Sequence, residues 1–339
     1  MRILLIGGSN LIGYYLIPDL MAKGHQLTVI TRGHRDLPHP VTEHLIGDRT
    51  ALFNQGQVQG VFDAVIDTVA YGPEDCRATL AALEGRLSHY IVISTAFVYP
   101  ELETAWHTPS APVYEEDASF SRAPSALKGS TPHNDYVYGK RQMEYWLHQK
   151  TRRMGVKTTI IRPLLQVVGP NTEDGRFAWF WLRIQDGGPI WLPDEARRKA
   201  GPCQLSFSGD VARVIAASLT QPPEHLAVFN AGQPELWTYE EYLGLMAHAA
   251  GRSVVVRYAP RDVLNQWAGG TYRIPLPYPI AFDVAASKRL RGMTHTPMRE
   301  WIGDTGRWMT AHYAGVIPQW YQARESESRW ESLTPSVTK

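Results

Sequence analysis

The sequence predicts a doubly wound α/β fold, in which helices cover both faces of a parallel sheet, followed by a smaller mixed lobe toward the C-terminus. Apolar runs of strand length alternate with helical stretches through the first half of the 339 residues, which is typical of βαβ units. The run Ile91–Ile93 is continuously apolar, as expected of a strand buried on both faces of its sheet. After Gly169-Pro170 this alternation stops and tryptophans become frequent, so the second lobe is expected there.

The first 100 residues contain four predicted strands and the first predicted helix. We assign strands to Ile3–Ile6, Leu27–Ile30, Ala64–Ile66 and Tyr90–Ile93, and a helix to Leu11–Met21. A segment rich in Pro, Ser and acidic residues then predicts a long loop over 100–132 beside the carboxyl edge of the sheet.

The predicted sheet continues after that loop. A helix is expected from Tyr136 to Met154, closed by Gly155, and a strand over Lys157–Ile161. A further helix over Val211–Leu219 leads to a short strand over Ala227–Asn230, which we expect to return to the main sheet.

These assignments predict two domains. Residues 1–170, joined by 205–232, are expected to form the sheet domain, and residues 171–339 a smaller lobe that binds substrate. That lobe begins with a stretch that includes Trp179, Trp181 and Trp191. These rings form either an aromatic wall for a sugar ring or apolar substrate, or part of a packed core, and the sequence leaves both interpretations open.

Composition and charge exclude several function classes. The formal net charge is +1 and Lys and Arg form no tract, so neither nucleic acid nor an anionic membrane is expected as a partner. No Cys/His cluster has metal-ligand spacing, and Cys76 and Cys203 are expected to be free thiols. No stretch approaches the ~18 consecutive apolar residues of a membrane helix. A cytoplasmic protein that acts on a small molecule is therefore expected.

A glycine-rich loop between the first strand and the first helix predicts a dinucleotide site of the Rossmann type. Small residues at such a turn let backbone N–H groups approach a pyrophosphate at the helix N-terminus. Strand, loop and helix occur here in the required order. The loop residues expected to contact the cofactor are Gly7, Ser9, Asn10, Leu11, Ile12 and Gly13.

The end of the second strand predicts which nicotinamide cofactor binds. An acidic side chain at this point would hydrogen-bond the ribose 2′-OH of NAD, but the sequence has Thr31-Arg32 instead. A guanidinium group suits phosphate oxygens, so Arg32 is expected to pair with a 2′-phosphate, and NADP is predicted over NAD. The alternative for Arg32 is a solvated surface charge.

A tyrosine and a lysine predict acid–base chemistry near the start of the long helix. Tyr136 and Lys140 are four residues apart, so they share one helix face. An ammonium group near the phenol is expected to lower the pKa of Tyr136 and make it a usable acid or base. Lys140 is also expected to hold the ribose hydroxyls of the nicotinamide. Ser94-Thr95 follow a strand at the edge where ligands of such sheets bind.

Together these residues resemble the extended short-chain dehydrogenase/reductases, the NAD-dependent epimerase/dehydratase family. The resemblance implies that Thr95, Tyr136 and Lys140 are catalytic, that Asp48 contacts adenine and that Ala70 lines the cofactor site. It also implies a homodimer paired through the helix that carries the tyrosine. Its further elements, in order up to about residue 232, are Gly47-Asp48, Asp67–Ala70, Ser94–Tyr99, Tyr136–Lys140, Arg162-Pro163, Gly169-Pro170, Asp210–Ala212 and Asn230–Gly232.

The sequence departs from the family pattern at three places. Asn10 replaces the middle glycine of the loop, where asparagine is expected to tolerate an unusual backbone angle. The segment after Arg162-Pro163 is one residue longer than usual and has Leu165 and Gln166 in place of an asparagine. Cys203 stands where nucleotide-sugar enzymes have an arginine for the diphosphate, and the substitutes expected for it are Arg197, Arg198 or Lys199.

Two functions from different classes remain open. The first is an NAD(P)-dependent oxidoreductase or epimerase that transfers a hydride at a secondary alcohol or ketone of a small molecule, such as a sugar derivative. The second is a catalytically silent relative of the same fold that senses NADP(H) or binds RNA. An intact Tyr136/Lys140 pair and the lack of a basic tract favour the enzyme.

Overall fold

The computed structural model describes residues 1–100, 112–118, 120, 122–127, 129, 131–172, 175–198, 203–272, 274, 280–315 and 330. The chain divides into two compact units. The first contains residues 1–171, 205–234 and 281–296, and the second contains residues 172–204, 235–280 and 297–339. The assignment of substrate binding to 171–339 stays a prediction.

Strands and helices alternate along the described residues. The strands are β1 (Arg2–Ile6), β2 (Gln26–Thr31), β3 (Glu43–Ile46), β4 (Phe62–Asp67), β5 (Leu87–Ile93), β6 (Lys157–Pro163), β7 (Val167–Val168), β8 (Pro189–Pro193), β9 (Ser206–Phe207), β10 (Leu226–Ala231) and β11 (Val255–Ala259). The helices are α1 (Leu11–Ala22), α2 (Arg49–Asn54), α3 (Pro73–Ala82), α4 (Pro132–Met154), α5 (Gly175–Asp186), α6 (Asp194–Arg198), α7 (Ser208–Thr220), α8 (Tyr239–Ala249), α9 (Arg261–Trp267), α10 (Ala285–Lys288) and α11 (Met298–His312).

The main sheet of the first unit is parallel and doubly wound. Among the described residues it has seven strands in the order β10-β6-β5-β4-β1-β2-β3. The order reverses at β1. Helix α1, between β1 and β2, lies on one face, and α3 and α4, which follow β4 and β5, lie on the other. The predicted fold class is confirmed. The expected return of the late strand is also confirmed, because Phe229 of β10 pairs with Ile161 of β6.

Alternation along β1 explains how one sheet supports two cores. Ile3 and Leu5 belong to the core beneath α1 and α7, whereas Leu4 and Ile6 belong to the core beneath α3 and α4. Successive side chains of a strand point to opposite faces, so a continuously apolar strand is stable only where both faces are covered. Burial of each such side chain contributes roughly 1.5–3 kcal/mol.

Helix α4 begins four residues before the predicted start at Tyr136. Thr131 caps it, because its side chain accepts a hydrogen bond from the backbone N–H of Asn134 (3.1 Å), and Pro132 occupies the first helical position. Proline is favoured there since its missing N–H has no partner in a helix anyway. Tyr136 therefore lies in the second turn, and Gly155 ends the helix in the left-handed conformation (φ 67°).

Aromatic side chains form much of the interior of the second unit. Trp181 packs over the backbone of Gly306, where a Cβ atom would lie 2.2 Å from the indole ring. Trp191 contacts Trp267 and Trp330 with ring centroids 5.2 and 6.4 Å away. Trp179, Trp181 and Trp191 are all 6% exposed or less. Of the two interpretations of the Trp-rich stretch, packing within the unit is the one observed.

Candidate active site

The loop after β1 requires glycine at its first two positions. Gly7 and Gly8 have φ of 97° and 89°, which side-chain-bearing residues rarely adopt. A Cβ atom on Gly7 would lie 2.2 Å from the hydroxyl of Thr68, which donates to the carbonyl of Ile6. The backbone of the turn therefore packs against the end of β4. Because glycine has no side chain, a ligand can approach this backbone directly.

The third glycine and Asn10 set the start of α1. A Cβ on Gly13 would lie 1.8 Å from the carbonyl oxygen of Gly8, so only glycine allows the helix to approach the loop this closely. Asn10 has an ordinary extended backbone (φ −136°), so the tolerance of asparagine for unusual angles is not needed here. It serves as the N-cap instead, because its side chain accepts a hydrogen bond from the N–H of Leu11 (2.8 Å).

Asn171 fixes the loop from the other side and was not predicted from the sequence. Its side-chain amide donates to the carbonyl of Ser9 (3.1 Å), and its own carbonyl accepts from the N–H of Leu11 (3.1 Å). Its φ is 58°, a conformation that asparagine tolerates better than most residues. The only signal in the sequence was its position directly after the turn-forming Gly169-Pro170.

A cavity of about 370 Å³ extends from the glycine loop toward the ends of β2 and β4. Five of the predicted cofactor residues line it, together with three further basic side chains, of His34, Arg35 and Arg49, and with Tyr71. The predicted residues in its wall are Gly7, Ser9, Asn10, Arg32 and Asp48. The cavity has the shape and chemistry that the adenosine diphosphate half of a dinucleotide requires.

Asp48 lies two residues after β3, and Ala70 lies three residues after β4. Asp48 caps α2, since its carboxylate accepts from the N–H of Ala51 (3.1 Å). Ala70 is buried and presents its carbonyl oxygen to Lys140. Leu11 and Ile12 form the first turn of α1, where backbone N–H groups lack partners within the helix.

Thr95 and Tyr136 meet at the carboxyl end of β5. Thr95 is buried, and its hydroxyl accepts a hydrogen bond from the N–H of Phe97 (3.3 Å), which caps a short 3-10 helix. Its side chain is also hydrogen-bonded to the phenol of Tyr136. Arg141 holds this segment on α4, because its guanidinium donates to the carbonyls of Val98 (3.0 Å) and Tyr99 (3.2 Å).

Lys140 lies beneath the carboxyl end of β5, close to Thr95 and Tyr136. Its side chain is buried, and Nζ donates to the carbonyl oxygens of Ala70 (2.6 Å) and Ile93 (2.7 Å). Nζ lies 5.4 Å from the ring centroid of Tyr71 and 5.7 Å from that of Tyr136. Burial lowers the pKa of Lys140 to about 8, although nearby Asp67 opposes this shift.

The pKa of Tyr136 is raised above 10, and the expectation that Lys140 lowers it is wrong for this structure. Burial is the largest cause, the hydrogen bond with Thr95 acts against it, and Tyr71 adds to it. The ammonium of Lys140 is already bound by two carbonyl oxygens, so it gives little stabilisation to a phenolate. Tyr136 therefore keeps its proton at neutral pH.

Tyr71 is a component of the site that the sequence did not predict. Its ring is 59% exposed, lines the cavity and lies 5.8 Å from the ring of Tyr136 between centroids. Its backbone is fixed by Asp75, whose carboxylate accepts from its N–H (2.7 Å). Gly139 packs on its carbonyl oxygen, at 2.6 Å from where a Cβ atom would lie. A rigid aromatic ring thus stands beside the phenol of Tyr136.

At two of the three places where the sequence departs from the pattern it resembles, the side chains are buried. Cys203 is buried, and burial raises the pKa of its thiol to about 12. Leu165 and Gln166 are buried as well. The guanidinium of Arg197 lies 4.2 Å over the ring of Tyr258. The side chain of Arg198 and all of Lys199 lie outside the described residues.

Two general features of the described residues bear on the class of site. They contain no group of three or more His, Cys, Asp or Glu side chains placed to hold a metal ion. Within the same part of the chain, no helix is long and apolar enough to cross a bilayer.

Comparisons with known proteins agree with this geometry. The sequence model of the "NAD dependent epimerase/dehydratase family" matches residues 3–232. The chain is 28% identical over 284 residues to the "Chloroplast stem-loop binding protein of 41 kDa b" of Arabidopsis thaliana, covering 77% of this chain and 67% of that protein.

Solved structures resemble the fold over nearly the whole chain. The UDP-glucuronic acid 4-epimerase of Bacillus cereus in complex with NAD has a TM-score of 0.65 at 18% identity, and the match covers 94% of this chain and all of the other. The UDP-N-acetylglucosamine 4-epimerase of Bacillus cereus has a TM-score of 0.62 at 18% identity, with coverage of 91% and 99%. At such identities the likeness concerns the fold.

Proposed function

The chain belongs to the NAD dependent epimerase/dehydratase family, and we propose that it is an NAD(P)-dependent oxidoreductase or epimerase. Its substrate in this proposal is a small molecule with a secondary alcohol or ketone, such as a sugar derivative. A homodimer, a cytoplasmic location and the absence of nucleic-acid and membrane partners stay predictions.

The observation that carries the proposal is the meeting of three side chains at the carboxyl end of β5. Thr95 and Tyr136 are hydrogen-bonded, and Lys140 lies 5.7 Å from the tyrosine ring. Tyr71 contacts both Tyr136 and Lys140 and also lines the dinucleotide cavity. A proton donor therefore stands beside Tyr71, a residue of the cavity wall, and hydride transfer to a carbonyl requires such a donor near the cofactor.

The residues of the cavity fit a dinucleotide. At Gly7 and Gly13, where Cβ atoms would clash, the glycine loop presents backbone without side chains, and the positive end of the α1 dipole next to it suits a pyrophosphate. Arg32, with Arg35 and His34 in the same wall, favours a 2′-phosphate, so NADP is the proposed cofactor. When bound, the nicotinamide supplies the group that gives or accepts a hydride.

The side chains of this chain then divide the remaining tasks. Thr95 orients the substrate oxygen by a hydrogen bond, next to the phenol of Tyr136. Because burial raises the pKa of Tyr136, its hydroxyl is protonated at neutral pH and donates its proton to that oxygen during reduction. Lys140 holds the carbonyls of Ala70 and Ile93 and offers its remaining N–H to a ribose hydroxyl.

Removal of one phenol oxygen tests the proposal. Ketones and sugars are screened for changes in NADPH absorbance, and Tyr136→Phe is compared with wild type on every substrate found. General acid–base catalysis contributes about 10²–10⁴-fold, so turnover should fall by that factor. Tyr138→Phe is the matched control on the same helix and should keep activity. Unchanged turnover in Tyr136→Phe would contradict the proposed role.

Cofactor preference is tested by binding. NADP should bind more tightly than NAD, and Arg32→Ala should weaken NADP binding about tenfold while leaving NAD binding unchanged. Arg77, an exposed arginine paired with Glu74 outside the cavity, provides the control Arg77→Ala. Equal loss of affinity for both cofactors in Arg32→Ala would leave no role for a 2′-phosphate.

A second candidate function is supported by the name of one relative. The Arabidopsis protein is called a stem-loop binding protein, and it matches 77% of this chain. RNA binding is tested by fluorescence anisotropy with a labelled stem-loop and with a single strand of the same composition. Tight binding of the stem-loop, in a protein that turns over no cofactor, would favour this candidate over the enzyme.

A further inference from the structure

A buried ion pair lies directly below the dinucleotide cavity. Nη1 of Arg49, in the first turn of α2, lies 2.5 Å from Oδ2 of Asp67, the last residue of β4. The side chain of Arg49 is 9% exposed and that of Asp67 is fully buried. The same Asp67 oxygen accepts a hydrogen bond from the phenol of Tyr90 (3.0 Å). Arg49 also lines the cavity, so its guanidinium lies between a ligand site and the interior.

The same arginine is tied to the loop that holds Lys140. Nη2 of Arg49 donates to the carbonyl of Val69 (3.0 Å), and Nζ of Lys140 donates to the carbonyl of the next residue, Ala70 (2.6 Å). The carboxylate of Asp67 also accepts from the N–H of Val69 (3.1 Å). Arg49 and Lys140 thus bind consecutive carbonyls of one short loop. A displacement of either cation is therefore expected to displace this loop.

The titratable groups near Lys140 come from β4, α3 and α4, and Tyr71 comes from the loop after β4. Asp67 on β4, Cys76 and Asp75 on α3, and Glu144 on α4 all favour its protonated form, and the rings of Tyr71 and Tyr136 face Nζ. Asp67 has the largest electrostatic effect of these groups. Because Arg49 neutralises Asp67 at hydrogen-bond distance, it reduces the negative field that Lys140 experiences.

We propose that Arg49 is a positioning residue of the active site, which sets the place of Lys140 through the 67–70 loop and its ionisation through Asp67. The proposal rests on the assignment of Lys140 to the cofactor site. Arg49 and Asp67, with Tyr90 and Lys140, are called the pocket cluster below. Arg49 follows Asp48 in the chain and lies at the proposed adenosine end of the site. In this arrangement it acts on Lys140, which lies at the proposed nicotinamide end.

The test measures the ionisation of Lys140 in two variants that should shift it in opposite directions. The lysine side chains of the full-length protein are labelled with 13C at Cε, and Lys140 is assigned with Lys140→Met. In Arg49→Met the pKa of Lys140 should rise from about 8 toward its usual value, because Asp67 is no longer neutralised. In Asp67→Asn it should fall below 8, because Arg49 then acts on Lys140 without compensation.

Two further variants keep the result interpretable. Arg49→Lys retains the charge and loses the fork that binds Asp67 and Val69, so the pKa of Lys140 should stay near 8 while affinity for NADP falls. Arg86→Met removes another half-buried arginine, which donates to the carbonyls of Val58, Gly60 and Ala82, and should leave Lys140 unchanged. If Arg49→Met does not fold, Arg49→Lys still tests the positioning role, and unchanged affinity for NADP in that variant would overturn it.

The outcomes separate this proposal from the proposed function. An unchanged pKa of Lys140 in both Arg49→Met and Asp67→Asn, or a shift of both in one direction, would overturn the positioning role. The measurement needs no substrate and no turnover. Failure of the hydride-transfer proposal would instead appear as unchanged activity in Tyr136→Phe, with the shifts of Lys140 intact.

Discussion

Two buried ionic clusters lie at the carboxyl end of the same sheet and differ in how completely the ionisation of their charged groups is fixed. The pocket cluster borders the cavity beside the glycine loop through Arg49. The second, called the edge cluster, lies at the ends of β6 and β10 and consists of Arg162, Glu144, Tyr99 and Asn230. Both place an arginine against a carboxylate and add a tyrosine hydroxyl. Each arginine also lines a cavity, Arg49 beside the glycine loop and Arg162 beside Glu115 and His148. The two clusters therefore differ in the additional buried lysine of the pocket cluster.

In the edge cluster every nitrogen of the guanidinium group has a hydrogen-bond partner. Arg162 binds Glu144 with Nη2 and Oε2 2.6 Å apart, and its Nη1 donates to the hydroxyl of Tyr99 (2.9 Å) and the carbonyl of Glu115 (2.9 Å). Tyr99 in turn donates to the side chain of Asn230 (2.6 Å). A buried charge is tolerated when all its hydrogen-bonding groups have partners, and this cluster meets that condition for its guanidinium.

The pocket cluster contains an extra cation whose ionisation is not fixed. Lys140 shares the site with Arg49 and Asp67, and burial lowers its pKa to about 8. Groups with a strongly shifted pKa beside a cavity are candidates for function, whereas a satisfied ion pair is more often structural. We therefore propose that the edge cluster is structural and that the pocket cluster serves a ligand.

Loss of the edge arginine should have the largest effect. Arg162→Met leaves Glu144 charged and buried without its partner, so the free energy of unfolding should fall by about 3–5 kcal/mol. Urea unfolding followed by circular dichroism measures this. The double variant Arg162→Met/Glu144→Leu should recover part of the loss. A change below ~1 kcal/mol would mean that the edge cluster is not structural.

Replacement of the pocket lysine should change how stability depends on pH. The folded-state pKa of Lys140 is about 8 and its ordinary value is 10.5, so the unfolded chain binds the proton more tightly over this interval. The charge therefore costs folded stability below pH 8, and that cost disappears as the pH rises toward 10.5. Relative to Lys140→Met, wild type should gain about 2.5 kcal/mol between pH 7 and pH 10.

The edge cluster supplies the control for this experiment. The stability difference between wild type and Arg162→Met should stay constant over the same pH range, because a guanidinium remains charged throughout. Parallel curves for wild type and Lys140→Met would contradict the depressed pKa and remove the distinction between the clusters.

Removal of one phenol hydroxyl from each cluster should give the smallest effects. Tyr99→Phe removes a group that donates to Asn230 and accepts from Arg162, and should cost about 2 kcal/mol. Tyr90→Phe removes a donor to Asp67, which keeps its bond to Arg49, and should cost about 1 kcal/mol. Chemical denaturation of both variants decides the order, and a larger loss in Tyr90→Phe would reverse the structural assignment of the two clusters.

Much of the fold could be predicted from the sequence because its signals are local. Continuously apolar strands, a glycine turn before α1 and the spacing of Tyr136 and Lys140 are each defined within a few residues. Strand β3 was missed because it is a short edge strand, mostly exposed and rich in polar residues. Its apolar pattern is therefore too weak to be detected.

The sequence by itself determined the doubly wound sheet, the glycine loop and the chemical groups of the candidate site, since these depend on residue type and short-range spacing. Only the tertiary structure decided that Asn171 fixes the glycine loop, that Arg49 reaches Asp67, and that Lys140 binds two carbonyls. It also placed residues 281–296 in the first unit. Such contacts join residues far apart in the chain, and burial, which sets the pKa of Tyr136 and Lys140, exists only once they have formed.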